Sequence, residues 1–308
     1  MTITQLEYII SIAKCGNFTL AAEECFVTQP TLSMQVQKLE EELGGQIFNR
    51  NTKPIQPTSL GEKIIPQAKK ILEESLKIKD ISDQVKGYVG GDFKLGIIPT
   101  VSPTLLPIFL NTFLKKYPNV SLKIEETTTK NFMEQILAGK LDAGIGATPL
   151  SNDKLIESAL YYEPFVAYVP DHHHLSEEKQ LDVADLESSK VLILEDGHCF
   201  RDQALSLCDI KSHSKNFEIK SGSFETMINL ADEGLGMTLL PYLHSILLSK
   251  DKQSNIRYFQ EPSPAREISL IHHKSFIKFP IINALFKTIE SVIRGVIKFE
   301  NVKIIPPK

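Results

Sequence analysis

Cys199 and Cys208 are the residues of this sequence best suited to redox chemistry, because both lie on one short segment. Phe200, Ala204 and Leu207 follow helical spacing between them, so the segment is predicted to be a helix. Such a helix would hold the two cysteines roughly 13 Å apart and on opposite faces. A disulfide requires Cα atoms about 4.4–6.8 Å apart. The pair can therefore bond only if the helix unwinds, which indicates a two-state redox switch.

Cys199 is predicted to be the reactive member of the pair. It begins the helix, where unpaired N–H groups and the helix dipole favour a negative charge, and it lies beside His198 and near Arg201. These features predict a lowered thiol pKa and a larger thiolate fraction. Oxidation would give a sulfenic acid that condenses with Cys208. The alternative is that both cysteines are buried as small hydrophobic residues, and their spacing alone does not decide between the two.

The composition is that of an ordinary globular protein with two or three domains. The chain has 308 residues, enough for several cores, and 42% of them are hydrophobic. No apolar run has the length of a membrane span, and the N-terminus lacks the pattern of a secretion signal. Four cysteines without export predict a reducing, cytoplasmic location, where a disulfide would be transient. The net charge of −4 does not indicate nucleic acid, so any DNA contact must come from a local patch.

Residues 1–58 are predicted to form a winged helix-turn-helix. The pattern Thr4-x-x-Glu7 predicts a capping box for the first helix, which should end at Gly16. Thr28 is positioned to cap a third helix with a polar first face, and a short hairpin, or wing, should follow. The third helix is expected to turn inward the side chains of Leu32, Val36, Leu39 and Leu43.

Residues 59–86 are predicted to form a long helix that mediates dimerisation. Its apolar and small residues alternate four and three apart, and such a seam on a lone helix would be exposed. Pro66 should bend the first turns of this helix. The glycine-rich residues 87–91 should form a hinge. The seam consists of Ile64, Ala68, Ile71, Ser75, Ile78, Ser82 and Val85.

The remaining residues alternate between strand and helix patterns, which is typical of parallel α/β sheets. Two lobes are predicted, residues 92–163 with 268–308 and residues 164–267, because the chain should cross between them near Glu163 and Arg266. Ligands in such folds bind at the carboxyl ends of strands and at helix N-termini, where Thr100, Thr129 and Cys199 fall. No phosphate-binding motif or catalytic constellation stands out, and the run of histidines at 172–174 is interpreted as a polar loop. No metal or cofactor is predicted.

Three motifs resemble the DNA-binding domain of LysR-type transcriptional regulators, and the resemblance extends over essentially the whole chain. It implies an α/β protein with an N-terminal winged helix-turn-helix, a long dimerisation helix and a two-lobed effector domain like the periplasmic binding proteins. Within the family, the segment 194–204 with Cys208, and the segment 96–101, resemble the hydrogen-peroxide sensors. The three DNA-domain motifs are Phe18-Thr19-Leu20-Ala21-Ala22-Glu23 through Thr28-Gln29-Pro30-Thr31-Leu32-Ser33, Leu39-Glu40-Glu41-Glu42-Leu43-Gly44, and Phe48-x-Arg50.

The resemblance implies a role for each matching residue. Cys199 would be the peroxidatic thiol and Cys208 its resolving partner, in a regulator of oxidative-stress genes that is not an enzyme. The peroxide pocket would be lined by Thr100, Thr129, His198, Asp202 and Arg266. DNA would be contacted by the recognition helix through Thr28, Gln29, Thr31, Ser33, Gln35 and Lys38, and by the wing through Arg50 and Lys53.

The resemblance also implies partners. These are promoter DNA, hydrogen peroxide, further copies of the chain in a homodimer or homotetramer, RNA polymerase, and a thiol reductant of the glutaredoxin or thioredoxin type; no membrane contact is expected.

Two alternatives compete with a peroxide-sensing regulator. The first is a LysR-type regulator that binds a small metabolite between its lobes and whose cysteines are incidental. The second is a thiol peroxidase, which is disfavoured because an enzyme has no use for a helix-turn-helix.

Overall fold

The computed structural model describes residues 1–85, 88–195, 197–207, 221–275, 278–297 and 302–307, without the side chains of residues 73, 76, 77 and 79–85. The chain divides into two compact units, Met1–Gly87 and Tyr88–Lys308. None of the described helices combines the length and hydropathy that crossing a lipid bilayer requires. Cys208 lies outside the described residues.

The first unit is a winged helix-turn-helix followed by a long helix, as predicted. Its wing is a two-stranded antiparallel hairpin in which Phe48 pairs with Pro57. The helices pack around a core to which Ile9, Leu32 and Phe48 contribute fully buried side chains. The elements are α1 (Ile3–Cys15), α2 (Phe18–Glu24), α3 (Gln29–Leu43), β1 (Phe48–Asn49), β2 (Gln56–Pro57) and α4 (Ser59–Val85).

The start of α1 differs from the prediction. The hydroxyl of Thr2 accepts a hydrogen bond from the N–H of Gln5, and the side chain of Gln5 accepts one from the N–H of Thr2. The predicted capping box at Thr4 and Glu7 is therefore wrong, because a glutamine completes the same motif two residues earlier. The predicted end at Gly16 is confirmed, since this glycine adopts φ 61°, a left-handed conformation that favours glycine.

Helix α3 has the predicted bounds, but one side chain near each end differs from the prediction. Thr28 occupies the N-cap position, but its side chain makes no capping bond and its hydroxyl instead bonds that of Thr31 at 2.8 Å. Leu32, Val36 and Leu39 are buried as expected. Leu43 is 39% exposed, because it is the last residue of the helix and extends past the core.

The apolar seam of α4 does not face solvent in its first turns. Ala68 is buried in the same core as α1, and Ile64 and Ile71 pack against that core. The sequence argument for a wholly exposed seam is therefore wrong for this half of the helix. Farther along, Ile78 is 72% exposed within the single chain, so an exposed apolar side chain exists only toward the second half of the described seam.

The second unit contains a mixed sheet, not the parallel sheets that the strand–helix alternation predicted. Ten strands among the described residues form this sheet. Its elements are β3 (Gly91–Ile97), α5 (Ser102–Lys116), β4 (Val120–Glu126), α6 (Thr129–Leu137), β5 (Ala143–Thr148), β6 (Leu155–Tyr168), β7 (Gln180–Leu181), β8 (Val191–Leu192), α7 (Cys199–Leu207), α8 (Phe224–Asp232), β9 (Met237–Pro241), α9 (Tyr242–Ser245), α10 (Lys250–Gln253), β10 (Ile256–Phe259), β11 (Ser263–His273), α11 (Phe279–Ile293) and β12 (Val302–Ile304), with a 3-10 turn at Val183–Leu186.

The strand directions explain why the sheet is mixed. Strands β4, β3 and β5 run parallel through helical crossovers, as predicted. The long strands β6 and β11 pair antiparallel with each other, and β11 also pairs antiparallel with β5. Sequence alternation cannot reveal these directions, because a long strand returning from the other half of the unit shows the same apolar pattern.

Two hydrophobic cores lie along β6. Leu155 and Leu160, in the first part of the strand, belong to a core shared with α5 and α11. Phe165 and Tyr168, in its last part, belong to a core shared with α7 and α8. The change from one core to the other takes place around Glu163, which is itself buried.

Replacing Gly61 by alanine is expected to destabilise the first unit. A Cβ atom at this position would lie 2.1 Å from the backbone oxygen of Ile47, which already accepts a bond from the N–H of Thr58. Because backbone must move, the free energy of unfolding should fall by about 1–3 kcal/mol. Urea unfolding followed by circular dichroism measures the change. Gly295→Ala is the control, since its Cβ would lie 3.7 Å from the Val292 oxygen, an ordinary contact distance. Equal stability of the two variants would show that the close approach at Gly61 does not destabilise the protein.

Candidate functional site

Helix α7 begins at Cys199, as the sequence predicted. Gly197 adopts φ 95°, so a left-handed turn before the helix redirects the chain after β8. The helix buries one face, formed by Cys199, Phe200, Gln203 and Ala204. The ring of Phe200 holds this face in place, because it packs on Phe165 at 4.9 Å and on Phe224 at 5.0 Å between centroids. The helix extends to Leu207. Cys208 lies outside the described residues, so the predicted distance between Cys199 and Cys208 stays a prediction.

The Cys199 thiol is buried, and this reverses the expected direction of its pKa. Burial raises the pKa of Cys199 above its usual range. The charge of Arg266 and the hydroxyl of Thr129 lower the pKa, as do backbone N–H groups of Ala147 and Phe200, but they do not offset the burial. The prediction of a lowered thiol pKa from the helix start, His198 and Arg201 is therefore wrong. The cation that favours the thiolate is Arg266.

Arg266 forms a buried ion pair that the sequence did not predict. Arg266 on β11 lies directly opposite Glu163 on β6. Its Nε and Nη2 donate to Glu163 Oε2 at 2.9 and 2.7 Å, and both side chains are 1% exposed. The other carboxylate oxygen of Glu163 accepts from the N–H of Leu243 at 2.9 Å. The pair is therefore hydrogen-bonded as well as charged, which a buried ion pair requires.

The same guanidinium connects Thr100 to helix α7. Arg266 donates to the hydroxyl of Thr100 at 2.9 Å and to its carbonyl at 3.0 Å. The guanidinium also lies 5.3 Å from the ring centroid of Phe200, a cation–π arrangement. Arg266 therefore contacts the loop after β3, strand β6 and the residue next to Cys199. Sequence reasoning noted Glu163 only as a crossing point between lobes, because its position opposite Arg266 follows from the strand register.

A pocket of about 550 Å³ lies beside Cys199, between α6 and α7. Of the residues predicted for the peroxide pocket, Thr129 and Asp202 line it with Cys199. The hydroxyl of Thr129 is buried and makes no regular hydrogen bond within the described structure, although it lies close enough to affect the Cys199 pKa. The other lining residues are Lys130, Met133, Glu134, Leu137, Pro149, Leu150, Ser151, Asn152, Gly197 and Pro307.

The remaining predicted pocket residues lie elsewhere around the thiol. Thr100 and Arg266 bind each other under Phe200. The imidazole of His198 lies against Gly222, where an added Cβ would come within 2.6 Å of its Nε2. The structure thus brings Cys199, Thr129 and Asp202 together at one pocket, whereas Thr100 and Arg266 contact each other beside Phe200.

The residues predicted to contact DNA fall into two groups. Gln29, Thr31 and Lys38 are exposed on α3, as is Thr28 before it, and Ser33 is partly buried. Gln35 is also partly buried, and its side chain and carbonyl both accept from Gln5 Nε2 at 3.3 Å. The exposed residues form the part of the predicted surface that is open to a ligand.

Arg50 has an internal partner that the sequence did not predict. It donates to Glu40 Oε2 at 2.9 Å, and Glu40 is buried. The same carboxylate accepts from the N–H of Ile47 at 2.8 Å, which ties the wing to α3. The guanidinium also lies over the ring of Phe18 at 5.3 Å. Arg50 therefore stabilises the position of the wing against the helices, whereas Lys53 is exposed in the turn of the wing.

Two family models match the chain. Residues 3–62 match the bacterial regulatory helix-turn-helix protein, lysR family, and residues 86–293 match the LysR substrate binding domain. The chain is 34% identical to the DNA-binding transcriptional dual regulator OxyR of Escherichia coli over 274 residues, which are 88% of this chain and 89% of that protein.

Two solved structures are similar to the chain over almost its full length. Full-length OxyR of Pseudomonas aeruginosa, carrying a cysteine-to-aspartate substitution, has a TM-score of 0.70 and 32% identity, and the match covers 97% of this chain and 99% of that one. A cysteine-to-serine mutant of Corynebacterium glutamicum OxyR with bound hydrogen peroxide has a TM-score of 0.64 and 27% identity, with 98% of each chain covered.

Removing the buried pair is expected to raise the pKa of the Cys199 thiol. The double variant Glu163→Gln with Arg266→Gln leaves no unpaired buried charge, so it should fold, but it takes away the cation that favours the thiolate. The midpoint of Cys199 alkylation against pH, followed by mass spectrometry, should move to higher pH. Arg201→Gln is the control and should leave the midpoint in place. A shift in the control, or none in the double variant, would contradict the role of Arg266.

Proposed function

Because the chain belongs to the LysR family of bacterial transcriptional regulators, we propose that it regulates oxidative-stress genes by sensing hydrogen peroxide through Cys199. The family consists of DNA-binding regulators, so the chain is not an enzyme. One observation carries the sensing role: the buried Cys199 thiol lines a pocket, with an unpaired Thr129 hydroxyl beside it and the charge of Arg266 near it. The similar structure of Corynebacterium glutamicum OxyR with bound hydrogen peroxide supports the same role.

The first step of the proposed reaction is attack of the Cys199 thiolate on one peroxide oxygen. A sulfur–oxygen bond forms, the oxygen–oxygen bond breaks, and hydroxide leaves and is protonated to water. Sulfur is oxidised by two electrons and the peroxide is reduced. Thr129 Oγ1 can donate to the departing oxygen, since it has no other regular bond in the described structure. The guanidinium of Arg266 favours the thiolate that begins the step.

The second step joins Cys199 to Cys208. The thiol of Cys208 attacks the sulfenic sulfur, a disulfide forms and water leaves. If Cys208 follows α7 in the reduced form, the helix must unwind before the sulfurs can meet.

Oxidation would change the activity of the regulator by repacking the segment that contains Cys199 and Cys208. We assign DNA binding to residues 1–58 and dimerisation to residues 59–86. The sensor would consist of two lobes, residues 92–163 with 268–308 and residues 164–267, joined to the helix by a hinge at 87–91. Repacking of α7 would alter contacts between lobes and subunits, in a dimer or tetramer on promoter DNA, and so change the engagement of RNA polymerase. A thiol reductant of the glutaredoxin or thioredoxin type would restore the reduced form.

A second candidate function has one observation in its favour. The pocket beside Cys199 measures about 550 Å³, which lies within the roughly 300–1,000 Å³ typical of small-molecule sites. A LysR-type regulator that binds a small metabolite in such a pocket would not need its cysteines. The two candidates differ in whether Cys199 is required for the response.

The cysteine variants separate these candidates. After a brief peroxide dose, Cys208→Ser should still form sulfenic acid at Cys199, because the first step needs no second thiol, but it should lose the disulfide. Cys199→Ser should lose both products and the peroxide-dependent change in transcription. Thiol-trapping mass spectrometry and a promoter fusion provide the readouts.

The control for these variants is Cys15→Ser with Cys25→Ser, which removes the two partly buried cysteines of the first unit. It should respond to peroxide normally. An unmodified Cys199 in the unsubstituted protein would count against the peroxide proposal. A full response from Cys199→Ser would favour the metabolite candidate.

Lys53 and Arg50 are expected to differ in their effect on DNA binding. Lys53→Ala removes an exposed cation at the wing turn, so the slope of log affinity against log salt for random-sequence duplex DNA should fall by about one, without loss of stability. Arg50→Ala should lower the unfolding temperature, because the buried Glu40 carboxylate loses its partner. Fluorescence anisotropy and thermal unfolding measure the two effects. An unchanged salt slope in Lys53→Ala would show that the wing turn does not contact phosphate.

A further inference from the structure

The last described residues of the chain are fixed to the core that holds α7. Strand β12 pairs in parallel with the first residues of β11, where Ser263 lies opposite Val302. Directly after β12, the N–H of Ile305 donates to the carbonyl of Ala265 at 2.8 Å. The side chain of Ile305 is 8% exposed and belongs to the same core as Phe200. This segment is therefore a packed structural element that ends beside α7.

One hydrogen bond joins this segment to α7 directly. Gln203 Nε2 donates to the carbonyl of Ile305 at 2.6 Å, across 102 residues of sequence. Gln203 is fully buried, and its Oε1 has no hydrogen-bond partner among the described groups. Rotating the amide would set its oxygen against the Ile305 carbonyl, so the bond fixes its orientation. Pro307, two residues farther on, lines the pocket beside Cys199.

Helix α7 depends on such contacts for its stability. It has nine residues, and an isolated helix of that length is not stable in water. Its first turn is held by the packing of Phe200, and its second by Gln203 and Ala204. The buried, unpaired oxygen of Gln203 opposes this stability, since such a group costs about 1–3 kcal/mol. The helix is thus held in place by its tertiary contacts, one of which comes from the C-terminal segment.

We propose that residues Val302–Ile305 act as a strap on α7, and that Gln203 is the positioning residue through which the strap sets how readily the helix unwinds. The consequence for redox chemistry rests on the proposed function: the strap would control the rate of disulfide formation after Cys199 is oxidised, and not the rate of the oxidation itself.

Hydrogen exchange on the reduced full-length protein tests the strap without any oxidant. Ile305→Ala should speed exchange of the α7 amides about tenfold, because the segment loses its buried anchor. Exchange in α8, which packs in the same core, should not change. Lys303→Ala is the matched control, since Lys303 is exposed on β12, and it should leave α7 as it was. Unchanged α7 exchange in Ile305→Ala, or equal acceleration in α8, would overturn the proposal.

A second variant addresses the hydrogen bond alone. Gln203→Glu keeps the size of the side chain but sets carboxylate oxygens against the Ile305 carbonyl, so it should also speed exchange in α7. Unchanged exchange would show that the bond does not restrain the helix.

The effect on disulfide formation is measured separately. After a peroxide pulse, Ile305→Ala should form the cross-link about tenfold faster. In a Cys208→Ser background, Ile305→Ala should leave the rate of sulfenic acid formation unchanged. If Cys199 of the unsubstituted protein is not oxidised, the proposed function is wrong. The proposal of a strap is tested separately, by hydrogen exchange in α7.

Discussion

The ion pair between Arg266 and Glu163 is the interaction on which the rest of the second unit depends. The two charges lie opposite each other on the antiparallel strands β6 and β11, and water does not reach either of them. A shift of one residue in the register would leave two buried charges without partners, which would be strongly destabilising. Since the change between the two hydrophobic cores lies at Glu163, the pair fixes the place where the halves of the unit meet.

The same pair sets the chemistry of the neighbouring thiol. Burial favours the neutral form of Cys199, and the guanidinium favours the thiolate. Because burial prevails, the resting site holds mainly the protonated thiol at neutral pH. In the proposed mechanism the thiol proton therefore passes to the departing peroxide oxygen as the sulfur–oxygen bond forms and the oxygen–oxygen bond breaks, so that water leaves. A peroxide molecule would then meet a thiol that the charge of Arg266 affects, in a pocket with polar side chains at Thr129 and Asp202.

Local patterns predicted much of the fold, and non-local partners account for what they missed. Apolar periodicity and a glycine stop predicted α7 and the end of α1, because the necessary contacts lie within a few residues. The direction of β11, the partner of Arg50 and the burial of Cys199 depend on residues far away in the sequence. The thiol pKa is the clearest case. The helix start favours a low value, but Cys199 packs into the core shared with α5 and α11, and this burial raises the pKa. The family resemblance predicted Arg266 as a site residue. Its partner Glu163 could be identified only from the register of β6 and β11.

The distribution of contacts along α7 indicates where unwinding would begin. The first turn is held most firmly, since Phe200 contacts two aromatic rings and the Arg266 guanidinium. The second turn is held by Gln203 and Ala204. Beyond it Ser206 is exposed, and Leu207 is only partly buried against the same core. Helix ends with few tertiary contacts open at the lowest free energy. Unwinding should therefore start at the end near Leu207 and proceed toward Gln203. In the proposed mechanism Cys208 would then move while Cys199 stays in its pocket.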